Sequence, residues 1–169
     1  QPDLFARICS YFDRAGFSIL DARVHTALNR HALDTFQVIA TTAPQSYRGL
    51  INLVESDLCR VLAEAKPLPE PMQRRVSRRV KSFPVAPRVL LRPDDKGQRW
   101  LLSISAADRA GLLYTVARIL ARHQLSVQLA KVSTLGERVE DTFLIQGPEL
   151  QNNARQIQIE TELLRELSN

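Results

Sequence analysis

The length of 169 residues allows one large domain or two small ones, and a hydrophobic content of 44% is too high for a disordered tail. No apolar run approaches the roughly 20 residues that cross a bilayer, and the two cysteines lack C-x-x-C spacing, so we expect a cytoplasmic protein without a disulfide framework or zinc site. Ten of the 23 basic residues lie between Lys66 and Arg99, so the net charge of +5 indicates a basic linker, not a basic nucleic-acid-binding domain.

The first third of the chain predicts a helix, two strands and a second helix. Apolar residues at helical spacing predict a helix that ends just before Gly16. Two strands follow, from Phe17 to Val24 and around Phe36–Val38, and they must pair antiparallel because only a short turn joins them. Imperfect alternation at Leu20-Asp21 leaves the register of the first strand open. An apolar stripe then predicts a helix from Ser46 to Ala65.

The rest of the chain predicts the same order, preceded by two further strands. Strand candidates at Val85–Leu91 and Trp100–Ile104 flank a turn rich in Pro, Asp and Gly. A helix starts near Leu112, a strand starts at Leu125, and the turn at Gly136–Arg138 leads into a further strand. The chain closes with a predicted helix at 153–167.

These two stretches are copies of one module. Nine positions of the first match nine of the second at one constant offset, and after a one-residue gap Asp34-Thr35-Phe36 matches Asp141-Thr142-Phe143 identically. The matched pairs are Leu4 and Leu112, Ile8 and Val116, Phe12 and Leu120, Phe17 and Leu125, Ser18 and Ser126, Ile19 and Val127, Ala22 and Ala130, Val24 and Val132, and Thr26 and Thr134.

The repeated order predicts an α+β fold of two ferredoxin-like βαββαβ modules, with antiparallel sheets and the helices on one face. We expect the first module at residues 1–65, without its first strand and completed by a strand near 85–92. A basic connector is expected at 66–84 and the second module at 98–169.

Catalytic motifs are absent from the sequence: we find no P-loop, no G-x-G-x-x-G, no H-E-x-x-H and no G-x-S-x-G. None of the three histidines has a second ligand-type residue at metal spacing. Glu137, Glu140 and Asp141 cluster near a turn, where we expect solvated charges. We therefore predict a chain without catalytic or metal-binding residues.

The loop Asp108-Arg109-Ala110-Gly111-Leu112 joins a predicted strand to a predicted helix. Glycine lets the backbone pass close to a bound molecule, and the unpaired N–H groups of the helix start attract a carboxylate. Asp108 could receive an ammonium group, so the loop suits both ends of an α-amino acid. The alternative is that Asp108 caps the helix and Gly111 eases a tight turn.

The connector carries two arginine pairs that share a helical face. Arg74 with Arg78 and Arg75 with Arg79 could grip an acidic partner surface or phosphate. A solvated link between the modules is the alternative interpretation.

At these residues the sequence resembles a known family. The runs D-R-A-G-L-L and L-S-V-Q-L-A-K-V-S-T-L-G-E-R-V-E-D-T-F-L-I are similar to the ACT domain that closes bacterial bifunctional uridylyltransferase/uridylyl-removing enzymes. L-D-A-R-V and A-L-D-T-F resemble the preceding ACT domain, and the arginine pairs followed by V-K-S-F-P resemble the connector.

The resemblance implies a regulatory region that senses glutamine for an enzyme that attaches uridylyl groups to the PII signal protein and removes them. The catalytic domains, and the magnesium on which such enzymes depend, would lie outside this chain, which needs no cofactor itself. Carried over by position, the ligand site comprises Asp108, Arg109, Ala110, Gly111 and Leu112, with Gln128 and Ala130 opposite. In the first copy Asp3 replaces the glycine.

Two other functions stay open at this point. The pair of modules could be an interaction platform that forms a homodimer through its sheets, or that docks PII or the catalytic domains through the arginine connector, without binding a small molecule. An RNA-binding sheet is the poorest candidate, since only 6% of the chain is aromatic. We expect neither nucleic acid nor a membrane as partner.

Overall fold

The computed structural model describes residues 3–26, 32–40, 47–64, 66–71 and 85–168. Within these ranges the elements follow in the order α1 (Leu4–Arg14), β1 (Phe17–Thr26), β2 (Ala32–Ala40), α2 (Tyr47–Glu64), β3 (Arg88–Pro93), β4 (Trp100–Ala107), α3 (Leu112–Arg122), β5 (Ser126–Leu135), β6 (Arg138–Gln146), a 3-10 helix (Pro148–Gln151) and α4 (Asn153–Ser168). The predicted α+β class is confirmed, with antiparallel pairing at every junction between the described strands.

The two copies share one six-stranded sheet, in the order β2-β1-β5-β6-β4-β3. At its centre β1 pairs with β5, with Ala22 opposite Val132 and Val24 opposite Ala130. Ala22 and Val24 of the first copy correspond to Ala130 and Val132 of the second, so a two-fold rotation exchanges the two pairs. The copies therefore meet through the same surface of each.

Both hairpins repeat the same irregularity. The β1–β2 register shifts between Ile19 and Asp21, and the β5–β6 register shifts between Val127 and Leu129. Each shift leaves one bulged residue, Leu20 in the first copy and its counterpart in the second. The imperfect alternation in the sequence marked these bulges, which re-aim the side chains at the start of each strand.

Strand β3 pairs with β4 at the edge of the sheet farthest from β2. A tight turn joins them, in which the Asp94 carboxylate accepts hydrogen bonds from the backbone N–H groups of Gln98 and Arg99. The strand expected near 85–92 exists, but it pairs with the second copy and not with the first. The short connection explains this difference, because it folds β3 back onto β4 as a hairpin.

Helices α1, α3 and α4 bury one face of the sheet, as predicted, while α2 packs against α1. Along β6 the buried residues alternate with less buried ones, and Val139, Asp141, Phe143 and Ile145 face the core. Phe5 of α1 contacts both Phe36 and Phe143, with ring centroids 6.3 and 6.1 Å apart. The first helix thus packs on strands of both copies. No helix among the described residues has the length and apolar character to span a membrane.

Candidate effector site at the junction of the two copies

The loop that the sequence singled out lies between β4 and α3. The backbone N–H of Asp108 donates to the carbonyl of Glu137 at 2.8 Å, which ties the loop to the β5–β6 turn. The N-cap residue of α3 is Gly111, and no side chain caps this helix. The alternative in which Asp108 caps the helix is therefore wrong: α3 begins four residues later, and the Asp108 carboxylate accepts a hydrogen bond from the Arg109 backbone.

Gly111 occupies a conformation that favours glycine, with φ at +78°. A Cβ atom built there would stand 3.3 Å from Oδ1 of Asp13 in α1. The backbone of the second copy therefore passes very close to a carboxylate of the first. A side chain at this position would push against Asp13.

A cavity of about 90 Å³ opens beside this contact, between the two copies. The first copy contributes residues of α1 and the bulged start of β1, and the second contributes the loop, the start of α3 and parts of β5 and β6. The lining residues are Cys9, Asp13, Phe17, Ser18, Ile19, Leu20, Asp108, Arg109, Ala110, Gly111, Leu112, Leu113, Tyr114, Val132, Thr134, Val139 and Asp141.

Three carboxyl groups line the cavity, from Asp13, Asp108 and Asp141. Burial raises the pKa of Asp108, and burial with the nearby charge of Asp108 raises the pKa of Asp141 to about 7. Burial and the surrounding carboxylates also raise the pKa of the Cys9 thiol. The described residues offer Asp108 and Asp141 no ion-pair partner, so these two carboxyl groups suit a cation.

The start of α3 also borders the cavity. The first backbone N–H groups of a helix have no partner inside the helix and carry partial positive charge. Leu113 and Tyr114, which contribute such groups, line the cavity. Arg109 also lines the cavity; its Nη2 donates to the carbonyl of Glu166, while Nε is buried without a partner among the described residues. These groups suit an anion, which at the helix start would meet the Asp13 carboxylate of the first copy.

Five of the seven predicted site residues meet at this cavity, namely Asp108, Arg109, Ala110, Gly111 and Leu112. Gln128 and Ala130 do not belong to its lining: the Gln128 amide donates to Ser126 Oγ, and Ala130 is buried in the core. The reason is the antiparallel central pairing. It places the end of β5, and the beginning of β1, beside the loop, whereas Gln128 lies toward the far end of β5.

The wall opposite the loop therefore comes from the other copy. Leu20 of the first copy stands where Gln128 stands in the second, and Leu20 lines the cavity. The position within the module was predicted, but the copy that supplies it was not. Nothing in the sequence indicates which strands of a duplicated pair meet at the centre of a sheet.

Asp141 was missed by the sequence argument, which expected a solvated turn residue. It is 2% exposed and lies within β6, on the face that packs against the helices. The alternation with Val139 and Phe143 was the signal that could have found it. The other missed carboxylate, Asp13, has no comparable signal, because it reaches the site only through packing between copies.

The equivalent loop of the first copy differs at its helix start. Asp3 takes the N-cap position of α1 with φ at −103°, and its carboxylate pairs with Arg7 at 2.6 Å. This start thus lacks the left-handed glycine of the second copy. The predicted partner-contact residues Arg74, Arg75, Arg78 and Arg79 lie outside the described residues.

The described residues contain no group of three His, Cys, Asp or Glu side chains arranged to hold a metal ion. The groups that line the cavity suit noncovalent recognition of a molecule that carries both a positive and a negative charge. An α-amino acid in its zwitterionic form carries both charges.

Comparison with known proteins matches residues 100–159 to the family described as ACT domain. The chain is 55% identical over 168 residues to a bifunctional uridylyltransferase/uridylyl-removing enzyme of Burkholderia vietnamiensis, and 54% identical to proteins of the same name from Burkholderia thailandensis and Burkholderia mallei. Each alignment covers 99% of this chain but 20% of the relative. No solved structure matches the chain. Residues 100–159 thus match the ACT domain family, and nearly all of the chain is similar to about one fifth of the length of these bifunctional enzymes.

Proposed function

We propose that this chain is a regulatory, non-catalytic region that binds L-glutamine in the cavity between its two copies. The observation that carries the proposal is that groups able to bind a cation and groups able to bind an anion line one small cavity. The start of α3 would bind the α-carboxylate, and Asp108 would receive the ammonium group. ACT domain membership of residues 100–159 supports an effector-binding role.

The relatives suggest what the chain regulates. They are bifunctional uridylyltransferase/uridylyl-removing enzymes, and this chain spans one fifth of their length. We infer that it belongs to a cytoplasmic, magnesium-dependent enzyme of that kind, which modifies the PII signal protein, and that glutamine bound here reports nitrogen status to catalytic domains elsewhere. The interaction-platform alternative, with its homodimer and arginine contacts, remains a prediction.

Isothermal titration calorimetry on the purified chain tests the proposal. We expect saturable binding of L-glutamine with one site per chain, since the glycine-type loop occurs in the second copy. L-glutamate and D-glutamine serve as controls, because both keep the α-ammonium and α-carboxylate groups, while the first changes the side chain and the second the chirality. Equal binding of all three, or no binding of L-glutamine at millimolar concentration, would refute a glutamine site in this chain.

A further inference from the structure

Asp141 is a buried carboxyl group with half of its hydrogen-bonding capacity unused. Its Oδ1 accepts a hydrogen bond from the backbone N–H of Ser133 at 3.3 Å. Its Oδ2 is buried and has no hydrogen-bond partner among the described residues. The residue is 2% exposed and forms part of the cavity wall. An unsatisfied buried carboxylate oxygen is costly, so its persistence beside a cavity needs an explanation.

No ion pair joins Asp141 to a positive charge among the described residues. Asp108 and Glu140 act on it electrostatically, and both are acidic. The other titratable groups that share the cavity are Cys9 and Asp13 of α1, Arg109 of the loop and Tyr114 of α3; β1 and β5 contribute only uncharged residues to the lining. Arg109 is the one cation among these described residues, and its Nη2 is committed to the carbonyl of Glu166. A ligand cation is the group that the site lacks.

We propose that Asp141 binds the ammonium group of the effector from the inner wall of the cavity, together with Asp108 at its edge. The inference rests on the proposed function, which it deepens by assigning a second ammonium-binding residue. Two carboxylates around one ammonium group, with the α-carboxylate at the start of α3, would fix the orientation of an α-amino acid. The side chain of the bound amino acid would then face the first copy.

Proton release accompanies this mode of binding. With a pKa raised to about 7 by burial, Asp141 is largely protonated in the empty site at pH 6. An ammonium group beside it favours the ionised form, so binding at pH 6 expels a proton to solvent. The affinity therefore rises with pH by up to about tenfold per unit below pH 7 and levels off above it.

Calorimetry in two buffers of different ionisation enthalpy measures the released proton. For the wild-type chain and L-glutamine we expect close to one proton released at pH 6 and almost none at pH 8. Asp141→Asn keeps the side-chain volume and should release none, with affinity at pH 8 weakened by at least about tenfold. Glu140→Gln is the matched control: it removes an adjacent charge from the opposite, half-exposed face, so it should lower the pKa of Asp141 slightly but keep both the proton release at pH 6 and the affinity at pH 8.

The deaminated analogue 4-carbamoylbutanoate provides a readout that does not depend on any variant. It lacks the ammonium group, so it should bind the wild-type chain much more weakly than L-glutamine and release no proton. If the analogue binds as tightly as L-glutamine, the cavity does not recognise the ammonium group, and the role proposed for Asp108 fails together with this inference. If L-glutamine binds but releases no proton, or if Asp141→Asn binds L-glutamine as the wild-type chain does, this inference fails while the proposed function stands. If the wild-type chain binds no L-glutamine, both fail.

Discussion

Gly111 brings the two copies together at the edge of the cavity. Its φ of +78° disfavours any residue with a Cβ atom, and its α-carbon faces the Asp13 carboxylate of the first copy. Two separate costs therefore act on a substitution. One is conformational strain, and the other is displacement of a cavity wall.

Comparing two glycines separates these costs. Gly97 has a similar φ of +66° in the β3–β4 turn, but a Cβ atom there would meet nothing within 4 Å. We expect Gly111→Ala and Gly97→Ala each to lower the free energy of unfolding by about 1 kcal/mol through strain. Only Gly111→Ala should also weaken L-glutamine binding, as measured by calorimetry. Equal binding by both variants would mean that the Gly111 contact is structural only.

Asp141 makes the stability of the chain depend on pH. Its pKa rises from an ordinary 3.8 to about 7 in the folded chain, so its contribution to stability is fully present below pH 3.8 and is lost as the pH rises through 7. Relative to wild type, Asp141→Asn should therefore gain roughly 2 kcal/mol between pH 5 and pH 8. Urea unfolding at both pH values measures this difference. A difference that does not change with pH would place the pKa of Asp141 near its ordinary value.

Among the elements, the two strand bulges determine which residues face the cavity. The β1 bulge at Leu20 lies beside the loop of the second copy, while the equivalent bulge at Gln128 lies near the other end of β5. Antiparallel pairing of β1 with β5 sends equivalent positions to opposite ends of the sheet. The first copy thus supplies its strand start to the loop of the second.

A matched pair of alanine substitutions tests which copy supplies the strand that lies beside the loop. Leu20→Ala removes part of the cavity wall and should weaken L-glutamine binding by several-fold, since each buried methylene contributes about 0.8 kcal/mol. Gln128→Ala should leave the affinity unchanged. The opposite result, with loss of binding only in Gln128→Ala, would show that the loop receives the strand of its own copy.

For the whole molecule, periodicity and repetition predicted most of the fold. The apolar spacing of the helices, the repeated D-T-F segment and the turn after Pro93 each correspond to an element of the structure. These signals depend on residues that are close together in the sequence, so they predict individual helices, strands and turns directly. The joining of both copies into one sheet was not predictable in the same way, because strands that pair across a duplicated unit leave no pattern in either copy.

In the candidate site, too, local features were predicted from the sequence and contacts between the copies were not. Its loop, Asp108 to Leu112, was found from the sequence because a glycine before a helix has a local chemical meaning. Asp13 and Leu20 were not found, since they reach the cavity only through contacts between copies. The alternation along β6 could have predicted that Asp141 is buried, but its neighbours Glu137 and Glu140 suggested a cluster of solvated charges.

The central claim is that an amino acid binds between the loop of the second copy and the strand start of the first. Nuclear magnetic resonance on the ¹⁵N-labelled chain tests it most directly, by mapping amide shifts as L-glutamine is added. We predict that shifts concentrate at residues 17–20 and 108–114, with little change at 126–130. Saturable shifts centred on 126–130, or no shifts at millimolar L-glutamine, would contradict the account.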